Sequence, residues 1–212
     1  GRRKEEGKMA EQLAFYFDQR HCIGCDACQI ACKDKHDLPV GQVYRRVREV
    51  VGGGFVEQDG AVRHDVYAFW LSVSCNHCLK PACVERCPTG ALHKRAHDGV
   101  VLLEQAKCVG CRRCLAGCPY GAIQFDLATR KAGKCDFCHD LLAQKKPPAC
   151  VAACPMRALD YGPLNQLRAA GGVSETEGLP KAELTEPALV ITPHRQAVQP
   201  AAQHSTKIDY KE

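Results

Sequence analysis

Apolar and polar residues alternate along this chain in short runs, which predict many small elements and no long helix. Segments rich in aromatic and β-branched residues predict strands over residues 13–17, 43–51, 54–57, 62–73, 91–93, 100–103 and 188–192. A turn at Gln58-Asp59-Gly60 would join the third and fourth of these strands. Helices are predicted over residues 26–35 and over 163–170, where Pro163 would lie in the first turn. The pattern is that of an α+β fold with little regular structure.

The composition is ordinary except for cysteine. Of the 212 residues, 45% are hydrophobic and 25% are charged, but 16 are cysteine. Aromatic residues are few, with six Phe, six Tyr and one Trp. Such a chain is typically held together by cross-links or metal and not by a large apolar core.

The cysteines fall into four groups that all end in C-x3-C. The groups are Cys22, Cys25, Cys28 and Cys32; Cys75, Cys78, Cys83 and Cys87; Cys108, Cys111, Cys114 and Cys118; and Cys135, Cys138, Cys150 and Cys154. Proline follows the last cysteine of groups two, three and four. This regularity indicates an internal repeat.

Cubane [4Fe–4S] clusters explain this spacing best. Three thiolates on a turning loop can surround one cluster, and in bacterial ferredoxins the fourth ligates the other cluster of a pair. We therefore expect four [4Fe–4S] clusters as the cofactors. Zinc is the main alternative, although a zinc knuckle has no use for the third cysteine of groups one and three. A disulfide framework explains four such crowded sulfurs less well.

The sequence distances between groups predict how they pair. Groups two and three are close together, so we expect two nested bacterial-ferredoxin-like modules: an outer one over 13–61 and 129–170, and an inner one over 62–128. A tail would precede them at 1–12, and an extended tail over 171–212 would contact partner subunits. If the fourth ligand is exchanged within each module, the expected ligand sets are Cys22, Cys25, Cys28 and Cys154 (cluster 1); Cys75, Cys78, Cys83 and Cys118 (cluster 2); Cys87, Cys108, Cys111 and Cys114 (cluster 3); and Cys32, Cys135, Cys138 and Cys150 (cluster 4).

The net charge of +5 does not indicate nucleic acid binding. Each oxidised cluster with four thiolates carries about −2, so the basic residues are better interpreted as counter-charges. Lys107, Arg112 and Arg113 should raise the reduction potential of the cluster at group three. His21, His77 and His139 flank ligand cysteines but are expected to hydrogen bond or face solvent, because sulfur already fills every ligand position.

No feature of the sequence predicts catalysis by this chain. It contains no nucleophile with a placed base, no phosphate-binding glycine loop and no open metal position, so we expect no small-molecule substrate. The sequence contains no run of about 18 apolar residues, so it predicts no membrane-spanning helix. Arg2-Arg3 lacks the long apolar region of an export signal, so we interpret it as a solvated tail.

The motifs resemble those of the iron–sulfur B subunits of the molybdopterin oxidoreductase superfamily. The gap of four residues in group two, that of eleven in group four, and the segments around Ser74–Cys78, Pro81–Cys83, Cys118–Gly121 and Lys134–Cys138 carry the resemblance. Within the superfamily, residues from about 13 to 192 look most like the B subunits of anaerobic dimethyl sulfoxide reductase. The segments 158–163 and 189–193 support that narrower likeness.

The resemblance implies a heterotrimer used in anaerobic respiration. A molybdopterin catalytic subunit and a membrane anchor subunit that oxidises quinol would be the partners, with this chain conducting electrons between them. It also implies a peripheral location on the outer face of the membrane, reached by export with a partner that carries the signal. Some relatives bind a three-iron cluster at the third motif, but here all four cysteines of that motif are present.

Three alternatives remain open from the sequence. The same role could serve a tetrathionate, thiosulfate or polysulfide reductase, or a formate dehydrogenase. The chain could instead be a free polyferredoxin-like carrier. It could also be a zinc-stabilised interaction module without redox activity.

Overall fold

The structure, a computed structural model, describes residues 11–198 and combines short helices with small sheets. The strands are β1 (Leu13–Asp18), β2 (Arg46–Gly52), β3 (Phe55–Gln58), β4 (Ala61–His64), β5 (Tyr67–Val73), β6 (Leu92–Lys94), β7 (Val101–Leu103), β8 (Gln124–Asp126), β9 (Lys131–Gly133), β10 (Leu159–Pro163) and β11 (Leu189–Thr192). The helices are α1 (Ala27–Lys35), α2 (Ala82–Glu85), α3 (Arg113–Gly117), α4 (His139–Ala143), α5 (Ala149–Ala152) and α6 (Leu164–Ala169). Three 3-10 turns lie at Gln105–Lys107, Ala182–Leu184 and Arg195–Val198. The mixed α+β class expected from the sequence is confirmed.

The largest sheet has three strands in the order β10-β1-β11. β1 runs antiparallel to β10 and parallel to β11. This central strand carries Phe15 and Phe17, which are buried in the main core together with Leu159 and Ile191. β1 leads directly into the first cysteine group, and β10 follows the fourth, so this sheet holds the two groups side by side.

The strand predicted over 188–192 is present as β11, and it pairs with β1 within this protein. Leu189 to Ile191 are buried against β1, and the Ala188 N–H donates to the Asn76 carbonyl. Residues 199–212 of the predicted tail lie outside the described residues, as do residues 1–10 with Arg2-Arg3.

The long insertion after group one forms an antiparallel ribbon in two parts. β2 pairs with β5, and β3 pairs with β4. The single strand predicted over 62–73 is therefore two strands, because the ribbon breaks where Gly53, at φ +81°, faces the Asp65 carbonyl. The predicted turn is confirmed: Asp59 and Gly60 both adopt positive φ between Gln58 and Ala61, as a type I′ hairpin requires.

Two further hairpins follow cysteine groups two and three. β6 pairs with β7, as predicted, and β8 pairs with β9. Leu92, Val101, Ile123 and Ala132 from these hairpins form a small core around Cys114. The helix predicted over 163–170 is present as α6, although Pro163 ends β10 and precedes the first helical residue.

Candidate metal centre

Thiols from two different cysteine groups line one cavity. The cavity encloses about 330 Å³, part of it open to solvent. Its thiols are those of Cys22, Cys25, Cys28 and Cys154. Val47 of β2 and Leu159 of β10 contribute to the apolar remainder of its wall. The last cysteine of group four therefore lies with the first three of group one.

A second cavity repeats this arrangement at groups two and three. It also encloses about 330 Å³, and its thiols are those of Cys87, Cys108, Cys111 and Cys114. Leu92, Leu103 and Ala132 supply apolar wall. Here the last cysteine of group two lies with the first three of group three.

The other eight thiols form two mutually interacting sets. Cys75 and Cys118 both act electrostatically on Cys83, and the same two thiols act on Cys78. Cys150 in turn lies near Cys32, Cys135 and Cys138, on which its charge acts. The structure thus brings thiols of different sequence groups together, and all sixteen cysteines are free of disulfides.

One backbone conformation recurs in all four cysteine loops. The residue before the second cysteine has positive φ in each: Gly24 (+66°), His77 (+44°), Gly110 (+68°) and Phe137 (+63°). This position is glycine only in groups one and three. In groups two and four the residue type gives no sign of the left-handed backbone, so the sequence did not reveal that all four loops share it. The shared loop turns successive side chains inward and exposes backbone N–H groups to the sulfurs.

Several backbone N–H groups donate to these sulfurs. The Leu92 N–H donates to Cys87 Sγ (3.4 Å), and the Ala122 N–H to Cys118 Sγ (3.5 Å). Within group four, the Phe137 N–H donates to Cys135 Sγ (3.4 Å). Such hydrogen bonds stabilise thiolates and are one means of setting the potential of an iron–sulfur cluster.

The more deeply buried thiols lose their protons readily only beside a cation. Burial raises the pKa of Cys22 to about 11 and that of Cys32 to about 12. Burial likewise raises the pKa of both Cys78 and Cys83 to about 12. Four such thiols can all be deprotonated in one cavity only if a metal centre supplies positive charge. The all-sulfur donor sets fit [4Fe–4S] clusters in this respect.

A buried lysine, Lys134, and a half-buried one, Lys94, place positive charge beside the thiols, and the sequence analysis assigned no role to either. Lys134 donates to the carbonyls of Val101 and Cys135. Lys94 donates to the carbonyls of Cys78 and Gly99, and burial lowers its pKa. In the sequence, the only indication that Lys134 places charge beside a thiol is that it directly precedes Cys135.

Arg112 is one of the cations that we expected to act on group three. It lies in the wall of the cavity lined by Cys108, Cys111 and Cys114. Its guanidinium carbon is 4.0 Å from the centroid of the Phe125 ring, which holds the side chain at that wall.

The three histidines next to cysteines occupy different environments. His77 is buried, and its Nδ1 accepts from the Val101 N–H (3.0 Å). Burial, reinforced by the charges of Lys134 and Lys94, holds the pKa of His77 well below its ordinary value, so its ring is neutral. His21 contacts Asp18, and His139 lies 4.0 Å from Asp136.

Across residues 11–198, no helix has the length and apolar character needed to cross a lipid bilayer.

Comparisons with known proteins agree with a cluster-binding protein. A family model described as a 4Fe-4S dicluster domain matches residues 66–164, which contain cysteine groups two to four. The B subunit of anaerobic dimethyl sulfoxide reductase from Escherichia coli strain K12 is 44% identical over 187 residues, which cover 88% of the present sequence and 91% of that protein. The corresponding subunit from Haemophilus influenzae is 43% identical, with coverage of 88% and 92%. The thiosulfate reductase electron transfer subunit of Salmonella typhi is 37% identical, with coverage of 74% and 79%.

Proposed function

This protein belongs to the family of iron–sulfur B subunits of anaerobic dimethyl sulfoxide reductase, and we propose that it relays electrons from a quinol-oxidising membrane subunit to a molybdopterin catalytic subunit. The observation that carries this proposal is the likeness to the Escherichia coli B subunit over 88% of the sequence, and the two cavities that are each lined by four thiols support it. Bound [4Fe–4S] clusters accept and donate single electrons. The protein fixes the positions of the clusters relative to one another and sets their reduction potentials.

We propose four clusters whose ligand sets cross between groups. Cluster 1 would bind Cys22, Cys25, Cys28 and Cys154; cluster 2 would bind Cys75, Cys78, Cys83 and Cys118; cluster 3 would bind Cys87, Cys108, Cys111 and Cys114; and cluster 4 would bind Cys32, Cys135, Cys138 and Cys150. The two four-thiol cavities support clusters 1 and 3. The electrostatic neighbours of the remaining thiols support clusters 2 and 4. Two nested ferredoxin-like modules, 13–61 with 129–170 and 62–128, follow from this crossing.

The same neighbours support a linear relay. Cys28 of cluster 1 is affected by Cys150 of cluster 4, and Cys135 of cluster 4 by Cys75 of cluster 2. Cys118 of cluster 2 packs against the small core that surrounds cluster 3. The resulting order is 1, 4, 2, 3. Its two ends carry the exposed thiols Cys25 and Cys111, whereas all four thiols of cluster 4 are buried. Electrons would therefore enter and leave this subunit at clusters 1 and 3.

Substrate chemistry would take place in the partner and not in this subunit. The larger described cavities are open to solvent and of mixed polarity, such as the one between His36, Tyr44 and Gln105, and hold no nucleophile with a placed base. The greater identity to the dimethyl sulfoxide reductase B subunit than to the thiosulfate reductase subunit favours a sulfoxide as the terminal acceptor. The complex would be peripheral to the outer face of the membrane, through export with a partner.

Purification of the tagged protein from its native host under anaerobic conditions tests this function. We expect a large molybdenum-containing subunit to co-purify, about sixteen iron atoms per copy of the protein, which is four for each of four clusters, and quinol-dependent sulfoxide reduction by the complex. Isolated protein without molybdenum should reduce no sulfoxide. Zinc in place of iron, or a protein that purifies alone with all its clusters, would contradict the proposal.

A further inference from the structure

Arg45 is a buried arginine immediately before β2. Only 2% of its surface is exposed, and it is among the largest fully buried side chains of the described residues. Nη1 donates to the Ser72 carbonyl and to Ser72 Oγ (both 3.1 Å), and Nη2 donates to Ser74 Oγ (3.0 Å). Nε has no hydrogen-bond partner. All three bonds go to neutral acceptors.

No carboxylate within residues 11–198 forms an ion pair with Arg45. A buried arginine normally pairs with an acid, because an uncompensated charge in the interior is costly. Its guanidinium carbon lies 4.7 Å from the centroid of the Phe15 ring, which offers only weak compensation. The charge must therefore be balanced by something other than a carboxylate.

The negative groups around Arg45 are thiolates from two of the proposed clusters. Burial alone would lower the pKa of Arg45, but the charges of the surrounding thiolates outweigh that effect and hold the pKa above its ordinary value. The thiols are those of Cys150, Cys28, Cys135 and Cys32. The backbone N–H of Arg45 also faces the Cys32 thiol directly. Cys28 belongs to cluster 1 and the other three to cluster 4. Ser72 strengthens the connection, since its hydroxyl lies 3.4 Å from Cys28 Sγ and also accepts from Arg45.

We propose that Arg45 places one permanent positive charge between clusters 1 and 4, and that this charge raises the reduction potentials of both clusters together. The proposal rests on the proposed function, because it assumes the ligand sets given above. Arg45 touches no substrate, so its role is to tune the two clusters between which electrons pass.

The physical reason is the change of charge on electron transfer. A cluster with four thiolates goes from about −2 to about −3 when it accepts one electron, and the donor cluster makes the opposite change. A nearby cation in a poorly solvated interior stabilises the more negative state and so favours reduction. Because Arg45 lies beside thiols of both clusters, it can raise both potentials without favouring transfer in one direction. A guanidinium stays protonated at all working pH values, so this contribution is constant.

The test is a redox titration of the assembled complex carrying Arg45→Gln, followed by electron paramagnetic resonance. We expect two midpoint potentials to fall and the other two to stay at their parent values. Signals lost in Cys22→Ser and in Cys32→Ser identify clusters 1 and 4. The matched control is Arg63→Gln, which removes the same charge from an exposed position on β4, where solvent screens it, and should shift no potential.

Each outcome decides the question. Downward shifts confined to clusters 1 and 4, with potentials near the parent values in Arg45→Lys, support the proposal. An Arg45→Gln complex that keeps every potential, or shifts all of them, overturns it while leaving the proposed function intact. If Arg45→Gln assembles no clusters, Arg45→Lys decides: retention of all clusters shows that charge is required, whereas their loss shows that only the hydrogen bonds to Ser72 and Ser74 matter and overturns the proposal. Absence of cluster signals in the parent complex would instead contradict the proposed function.

Discussion

The ring of Phe137 stacks on the ring of Phe15, with centroids 4.2 Å apart and planes 15° from parallel. Phe15 lies on the strand that enters the first cysteine group, and Phe137 lies between two cysteines of the fourth. The contact therefore joins two segments that are far apart in sequence. It places aromatic packing in the main core, among the thiols of Cys28, Cys135 and Cys150.

Truncation of this contact should be costly. Phe137 is completely buried, and Phe137→Ala should destabilise the protein by about 3–5 kcal/mol, as is usual for a buried phenylalanine. The measurement is the guanidinium concentration at which cluster absorbance is lost. Phe55→Ala is the matched control, because Phe55 is 75% exposed, and its effect should stay within about 0.5 kcal/mol. Equal effects of the two substitutions would argue against a core at Phe137.

The proposed exchange of the fourth ligand between groups predicts which cysteine variants share a phenotype. Cys32→Ser and Cys135→Ser should both lose the signal of cluster 4, and Cys22→Ser should lose a different signal, that of cluster 1. The reason is that Cys32, although it belongs to group one in sequence, lies with the thiols of group four. Electron paramagnetic resonance of the three variants checks this. If Cys32→Ser matched Cys22→Ser instead, each group would hold its own cluster.

A glycine in the third cysteine loop should be irreplaceable for a steric reason. Gly110 has φ +68°, and a Cβ there would clash with the Arg130 carbonyl oxygen, a backbone atom that cannot easily move. Gly110→Ala should therefore displace the loop and lose cluster 3, as seen in iron content and in its spectroscopic signal.

Gly90→Ala provides the control for this prediction. Gly90 has nearly the same φ, +67°, but open space where the Cβ would lie. Gly90→Ala should lower the stability of the protein by only the strain of a left-handed backbone, about 1–2 kcal/mol, and the variant should keep all clusters. Loss of cluster 3 in both variants would show that strain, and not the contact with Arg130, sets the requirement.

The exposed Arg112 and the buried Arg45 allow the effect of burial on a cation's influence over cluster potentials to be compared. Arg112→Glu should lower the potential of cluster 3, because it replaces a positive with a negative charge at the wall of that cavity. Solvent screening should make the shift smaller than that of Arg45→Gln, although the change of charge is larger. A redox titration at two salt concentrations checks both statements. If no cluster shifts downward, the assignment of Arg112 to cluster 3 is wrong.

Removal of iron should unfold much of the protein. Thiols form a large part of the main core, which contains Cys28, Cys75, Cys135 and Cys150, so loss of the metal they bind would open that core. Anaerobic chelation should therefore abolish near-ultraviolet circular dichroism and the cooperative thermal transition. Fluorescence of Trp70, the only tryptophan, reports on the same event, since its indole packs against Gly24 in the first cysteine loop. Apoprotein that kept a cooperative transition would contradict this coupling.

Local features of the structure could be predicted from the sequence. Cysteine spacing is a local property, since a loop that surrounds a cluster needs thiols at short, fixed intervals, and this identified the cluster class and the family. The Asp59-Gly60 turn was equally predictable, because its two positive φ values suit those residue types. Local runs of apolar and polar residues likewise predicted β1, α1 and the β6–β7 hairpin.

Only the tertiary structure decided which residues far apart in sequence meet. Nothing in the sequence distinguishes Arg45 from the neighbouring Arg46 and Arg48, because which of them points inward depends on how the ribbon of β2 and β5 lies against the cysteine loops. The parallel pairing of β11 with β1 could not be predicted from the sequence either, because it joins the two ends of the described residues. An apolar run such as Leu189–Thr192 predicts that a strand will be buried but not which partner will bury it, because hydrophobic burial is non-directional and only the finished fold supplies that partner.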